Sequence, residues 1–179
     1  MLSSGSDSRA THAFATRMLA SAVVAGALLG VAIGRDPHKL SQVHIRWWVV
    51  VLVALAARLV APFLSPLSLA VDLTSVGLTG MVAFANWRVP GAAVIGAGSL
   101  LNFVVIAANG GMPVDAAQLA SVGGAFPIDG LHLALSPSTR LVELADVIIL
   151  APFRAAYSVG DVLIAAGGFL LPFITLTRQ

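Results

Sequence analysis

The chain contains no cysteine, which excludes disulfides, thiolate metal sites, a cysteine nucleophile and covalently attached c-type haem. Charge is almost as scarce. Lys and Arg number 10 and Asp and Glu 8, together 10% of 179 residues, while 58% are hydrophobic, a balance far too apolar for a soluble domain. The natural solvent for such a chain is a lipid bilayer. Its few cations form no basic tract with interleaved aromatics, so nucleic-acid binding has no electrostatic footprint. The histidines, His12, His38, His44 and His132, lie outside the apolar runs, whereas a haem or pigment held in a membrane bundle needs a ligand within a span. No haem, pigment, metal or other cofactor is expected.

What the chain does have is apolar runs. Residues 1–13 are small and polar without periodicity and read as a flexible tail, ahead of a single membrane domain over 14–179. The first run covers 18–33; Arg17 before it gives it the look of a signal peptide, but no small-x-small cleavage site follows, so a retained helix is expected. The second, 45–64, has the ~20 residues a crossing helix needs, with Trp47 and Trp48 as interfacial anchors. The third runs over 66–87, with Ser65 as N-cap and Pro66 at the first helical position. The fourth covers 89–108, and the fifth 162–175, entered through a capping box of Ser158 and Asp161. The expected fold class is therefore all-α, a polytopic integral membrane bundle of five transmembrane helices. Small residues such as Gly26 with Gly30 and Gly91 with Gly96 read as close-packing positions within it.

Between the fourth and fifth runs, the segment 109–161 is too polar and too often broken by Gly and Pro to span, and it reads as a lid on one face. Within it Asp115 with Gln118 starts a short interfacial helix, and 141–153, too short to cross, reads as a helix or re-entrant segment packed on the bundle. Arg35, Lys39, Arg46, Arg88 and Arg178 fall on the opposite side, which the positive-inside rule makes cytoplasmic. The expected location is a bacterial cytoplasmic membrane, with the amino terminus and lid outside and the carboxy terminus in the cytoplasm; Arg9 and Arg17 pull the other way. The lid holds five of the eight acids, Asp115, Asp129, Glu143, Asp146 and Asp161.

Three groups of residues are candidates for function. Arg58 and Asp72 each lie seven residues from Ser65, so a helix hairpin turning there sets both ~10 Å from the turn at 1.5 Å per residue. They are expected to meet as a structural intramembrane ion pair, or else to serve a proton or ion pathway. Asn102, Asn109, Gly110 and Gly111 form a polar lip at the end of the fourth run; the first meaning of Asn109-Gly110-Gly111-Met112-Pro113 is a helix stop, and of Asn102 an interhelical hydrogen bond. Asp146 and Asp161 are two carboxylates at a bilayer surface, and paired carboxylates split their pKa values so that one acts as acid while the other activates water.

Two resemblances follow from these motifs. "AANGGMPV", "LADVI" and "YSVGDVLIAAGGFLL" resemble an uncharacterised family of small bacterial multi-span membrane proteins, a domain of unknown function that implies the architecture and no activity. The last of these stretches also resembles the closing motif of lipoprotein signal peptidase, with Asp161 in the place of a catalytic aspartate and Ile164, Gly167, Leu170 and Leu171 in step behind it. Ser158 and Gly160 stand where that family has Asn and Ala, and its other aspartate motif is missing, so Asp146 would take the second role. The leading expectation is a non-enzymatic accessory or assembly subunit that packs against lipid and other membrane proteins. The alternatives are a membrane aspartyl hydrolase with Asp146 and Asp161 as its dyad, and a small transporter using Arg58 and Asp72.

Overall fold

The computed structural model of the chain describes residues 7–33, 36–127 and 129–178. Its long elements are α1 (Asp7–Ala32), α2 (Trp48–Val60), α3 (Ser68–Ala85), α4 (Ala92–Asn109) and α6 (Val159–Thr177), with a short α5 (Ala116–Ser121) in the lid. All five expected apolar runs are helical, with shifted ends. Helix α1 begins at Asp7, so 7–13 belong to it and not to a flexible tail; residues 1–6 and Arg35 lie outside the described residues. Ser65 does not cap α3: the Ser65-Pro66 peptide is cis and the helix starts at Ser68 after Leu67.

Among the described residues three helices, α3, α4 and α6, are long and apolar enough to cross a membrane, while Met18–Ala32 and Trp48–Phe63 are shorter apolar stretches. The 13 residues of α2 extend only ~20 Å, against a hydrocarbon thickness of ~30 Å. A 3-10 turn at Ala61–Phe63 and the bend that follows take up the C-terminal end of the expected second span, and residues 45–47 precede the helix.

Neighbouring helices run in the order α2, α3, α4, α6, α1. Glycines set their directions as well as their spacing. A Cβ on Gly98 would collide with the Gly160 carbonyl and one on Gly91 with that of Gly167, so α4 and α6 are antiparallel and in near contact of backbones. On α1, Gly26 meets Phe169 and Gly30 meets Leu176, so α1 runs parallel to α6. The glycine pair on α1 thus serves packing inside this chain, as expected of small residues that admit a close neighbour. The N-terminal end of α1, the α2–α3 turn and the lid share one end of the bundle, and the C-terminal end of α6 lies at the other.

Apolar side chains also cover the outside of the bundle. Leu28 is 65% exposed, Val53 60%, Phe63 75% and Leu67 61%, an outer surface that water would not tolerate over such an extent. The packed interior is small: Val76, Val105, Ile106 and Met112 form its core, with Leu69, Leu73 and Leu144 against it. Met112 and Leu144 come from the lid, so the lid is seated on α3 and α4 by burial.

The lid itself corrects the all-α expectation. Strand β1 (Met112–Val114) pairs in parallel with β2 (His132–Ala134), and β3 (Ile148–Leu150) pairs antiparallel with β4 (Ala155–Tyr157). The segment 141–153 is no helix or re-entrant span. It is a 3-10 turn at Val142–Leu144, then β3, then a second turn at Ala151–Phe153, in keeping with its β-branched "DVII". The expected short helix is present as α5, whose N-cap Asp115 accepts a hydrogen bond from the Gln118 amide at 2.9 Å.

Candidate functional site

At the lid end of the bundle, α2 and α3 bring Arg58 and Asp72 together, Nε to Oδ1 at 3.2 Å, with the Asp72 side chain only 6% exposed. The seven-residue symmetry about Ser65 anticipates this pair, although the turn is built differently from the expected one.

The start of α6 is a capping box. Ser158 Oγ accepts from the Asp161 amide at 3.0 Å, and Asp161 Oδ2 accepts from the Ser158 amide at 3.2 Å. Asn102 of α4, fully buried, completes a ring: its Nδ2 donates to Asp161 Oδ1 at 2.9 Å and its Oδ1 accepts from Ser158 Oγ at 2.8 Å. This is possible only because Gly160 has no side chain, since a Cβ there would overlap Asn102 Oδ1. Both carboxylate oxygens of Asp161 are therefore engaged by donors from its own helix cap and from α4.

The polar lip divides into two parts. Asn102 faces α6, whereas Asn109 holds the lid: its Oδ1 accepts from the Arg140 amide at 2.8 Å and its Nδ2 donates to the Arg140 carbonyl at 2.9 Å and to Val105 O at 2.9 Å. Gly110, at φ +74°, takes the left-handed conformation that ends α4, and the amides of Gly110 and Gly111 both return to Ile106 O. The tail of α4 is a helix stop that also anchors the lid. Asn86, which sequence reasoning missed, repeats the device at the other end of the bundle. Its Oδ1 accepts from the Arg46 amide at 2.8 Å, and its Nδ2 donates to the Arg46 carbonyl at 3.0 Å and to Val82 O at 2.8 Å. The signal was available, an Asn closing an apolar run as Asn109 does.

Asp146 joins these groups. Its backbone ties β1 to the end of the 142–144 turn, donating to Pro113 O at 2.8 Å and accepting from the Asp115 amide at 3.1 Å, and this buries the side chain. The residue is 6% exposed, and its Oδ1 has no hydrogen-bond partner among the described residues. Burial pushes the Asp146 carboxyl well above the ordinary carboxylate range, the charge of Asp161 raises it further, and Arg58 opposes both. Tyr157, the chain's only tyrosine and 3% exposed, feels the same field: burial, then Asp161 and Asp146, raise its phenol. Sequence reasoning treated the ion pair and the two lid carboxylates as separate leads; folding makes them one electrostatic neighbourhood, and it missed Tyr157. Among the described residues no group of three His, Asp or Glu side chains is placed to hold a metal ion.

The chain belongs to a family of unknown function, DUF5317, whose sequence model matches residues 41–173. The match begins ahead of α2 and ends within α6, so it takes in the lid and every side chain of this cluster. No curated protein and no solved structure matches the chain.

Proposed function

We propose that this member of the family is a multi-pass protein of the bacterial cytoplasmic membrane that catalyses no reaction and acts as an accessory or assembly subunit, packing against lipid and other membrane proteins. Five spans, with the amino terminus and lid outside, are part of this reading. Supporting the placement are three long apolar helices, no more than 39% of any of which is buried within the protein, and the placing of Lys39, Arg46, Arg88 and Arg178 in short connections at the end opposite the lid, against Arg140 and Arg154 in the long lid. The observation that carries the non-catalytic role is the engagement of Asp161. Each of its oxygens accepts one hydrogen bond, Oδ2 closing the cap of α6 and Oδ1 tying α6 to α4, so the carboxylate has a structural task in the fold.

A hydrolytic reading has one observation in its favour: Asp146 is a buried carboxyl held toward its neutral form with Asp161 nearby, the division of roles an acid and base pair requires. The likeness of the α6 entry to lipoprotein signal peptidase belongs with it. Transport through Arg58 and Asp72 has only the pair itself behind it, and a relay needs further ionisable groups along the membrane.

The deciding experiment compares membrane lipid and lipoprotein profiles in cells whose own copy is replaced by Asp146→Asn or Asp161→Asn. Unchanged profiles at normal protein abundance are expected. Accumulation of an uncleaved lipid-modified precursor in the Asp146→Asn strain would establish the hydrolase instead.

A further inference from the structure

At the end of the bundle opposite the lid, an open cleft of about 430 Å³ lies between the 3-10 turn Pro37–Gln42, the α3–α4 connection and the C-terminal end of α6. That size lies within the ~300–1,000 Å³ usual for small-molecule sites. Lys39, His44, Arg88 and Arg178 line it, with Gln42 and Thr175, and among the described residues no Asp or Glu does. Asp36, the acid nearest in sequence, caps the turn by accepting from the His38 amide at 2.9 Å. From these facts we infer that the cleft is a binding site for a phosphate-bearing anion.

Its walls are held in place before any ligand arrives. Lys39 Nζ donates to the Arg178 carbonyl at 2.6 Å, which seats the turn on the C-terminal end of α6 and leaves the ammonium with further donors. The segment carrying His44 is fixed from behind by the two-bond grip of Asn86 on Arg46. Two arginines with forked donors, one ammonium and an imidazole suit a phosphate group better than a carboxylate, whose two oxygens use fewer of them. Among the described residues no carboxylate pairs with Lys39, Arg88 or Arg178.

The surroundings set the depth. Trp47 and Trp87, 52% and 62% exposed, flank this end, and the guanidinium groups of Arg46 and Arg88 lie over their rings at 5.4 and 5.2 Å. Tryptophan with arginine marks the headgroup layer of a bilayer, and basic pockets at that level take phospholipid headgroups. The two sources of the anion are therefore a phospholipid of the adjoining leaflet and a soluble phosphate. The inference rests on the membrane placement proposed above and not on the role of the lid.

The test uses the full chain purified in a neutral detergent, with thermal midpoints measured against added phosphatidylglycerol, phosphatidylcholine and inorganic phosphate. Stabilisation by phosphatidylglycerol alone identifies a lipid phosphate, and stabilisation by inorganic phosphate identifies a soluble one. In either case Arg88→Gln and Arg178→Gln each weaken binding about tenfold, the loss of one charge-assisted contact, while Arg46→Gln, which removes a charge at the same end outside the cleft, leaves it unchanged. Equal stabilisation by phosphatidylcholine, whose phosphate is neutralised by its own choline, an equal effect of Arg46→Gln, or no stabilisation by either anionic probe overturns the proposal. Failure of the membrane placement would register separately, as a chain that stays soluble and monodisperse without detergent.

Discussion

Asn102 and Asp161, 59 residues apart, are joined by a 2.9 Å hydrogen bond between α4 and the first turn of α6. With Ser158 closing the ring, the bond makes one helix's cap depend on another helix's side chain. Replacing Asn102 by Ala leaves Ser158 Oγ without its acceptor and Asp161 Oδ1 without its donor. The expected cost is about 2 kcal/mol, read as a lower unfolding midpoint in detergent. Asn102→Asp is expected to cost more, since it sets two carboxylates against each other.

The Arg58 and Asp72 pair predicts a non-additive cycle. Arg58→Leu strands a buried carboxylate and should destabilise by about 3 kcal/mol, whereas the double change to Leu at both positions should recover most of that loss. Additive single and double variants would show that the two side chains do not interact.

Asp146 predicts a pH dependence. Its folded pKa is raised, so between the unfolded value of about 3.9 and the folded one the native state binds more protons than the unfolded state. Stability is then greatest below that unfolded value, falls as pH rises through the interval, and levels off above the folded value. Asp146→Asn removes the ionisation and is expected to flatten this branch, with a gain of about 1–3 kcal/mol at pH 7. A midpoint that rises over the same range in the wild type but not in the variant would refute the burial of the charged form.

Two glycines separate space from conformation. Gly160→Ala would drive a methyl into Asn102 Oδ1 and the Gly98 carbonyl, and is expected to cost about 1–3 kcal/mol. Gly110→Ala meets nothing within 4 Å and bears only the left-handed backbone penalty of about 1 kcal/mol. Thermal midpoints of the two variants should rank in that order.

The absence of cysteine makes orientation directly measurable. Ser138→Cys in the lid and Ser41→Cys at the basic end are both exposed positions. A membrane-impermeant maleimide applied to intact spheroplasts should label the first and reach the second only after permeabilisation. The reverse pattern would invert the proposed topology.

Much of this was legible in residue order, where the cause is local. Apolar runs of helical length, the Ser158 and Asp161 box, the Asp115 cap and the glycine stop after Asn109 all depend on partners within four residues, and each stands in the structure. Arg58 and Asp72 were legible at longer range because a hairpin turns spacing into depth. Where a cap was expected, at Ser65, the chain turns otherwise and α3 starts only at Ser68, after Leu67. Residues 141–153, expected as a helix or re-entrant segment, hold a strand instead, because strands of three residues carry too few positions to show an alternating pattern.

By itself, the order of amino acids determined that this chain belongs with apolar surroundings, which stretches become helices, and where they stop, since propensity, capping and hydropathy act between near neighbours. Tertiary structure alone decided that Asp146 should come within the field of Asp161 and Arg58, that 112–114 should pair with 132–134, and that Lys39, Arg88 and Arg178 should surround one cleft. Such meetings depend on how close two backbones can approach, and in this fold bare glycines at the α4–α6 and α1–α6 crossings set that distance.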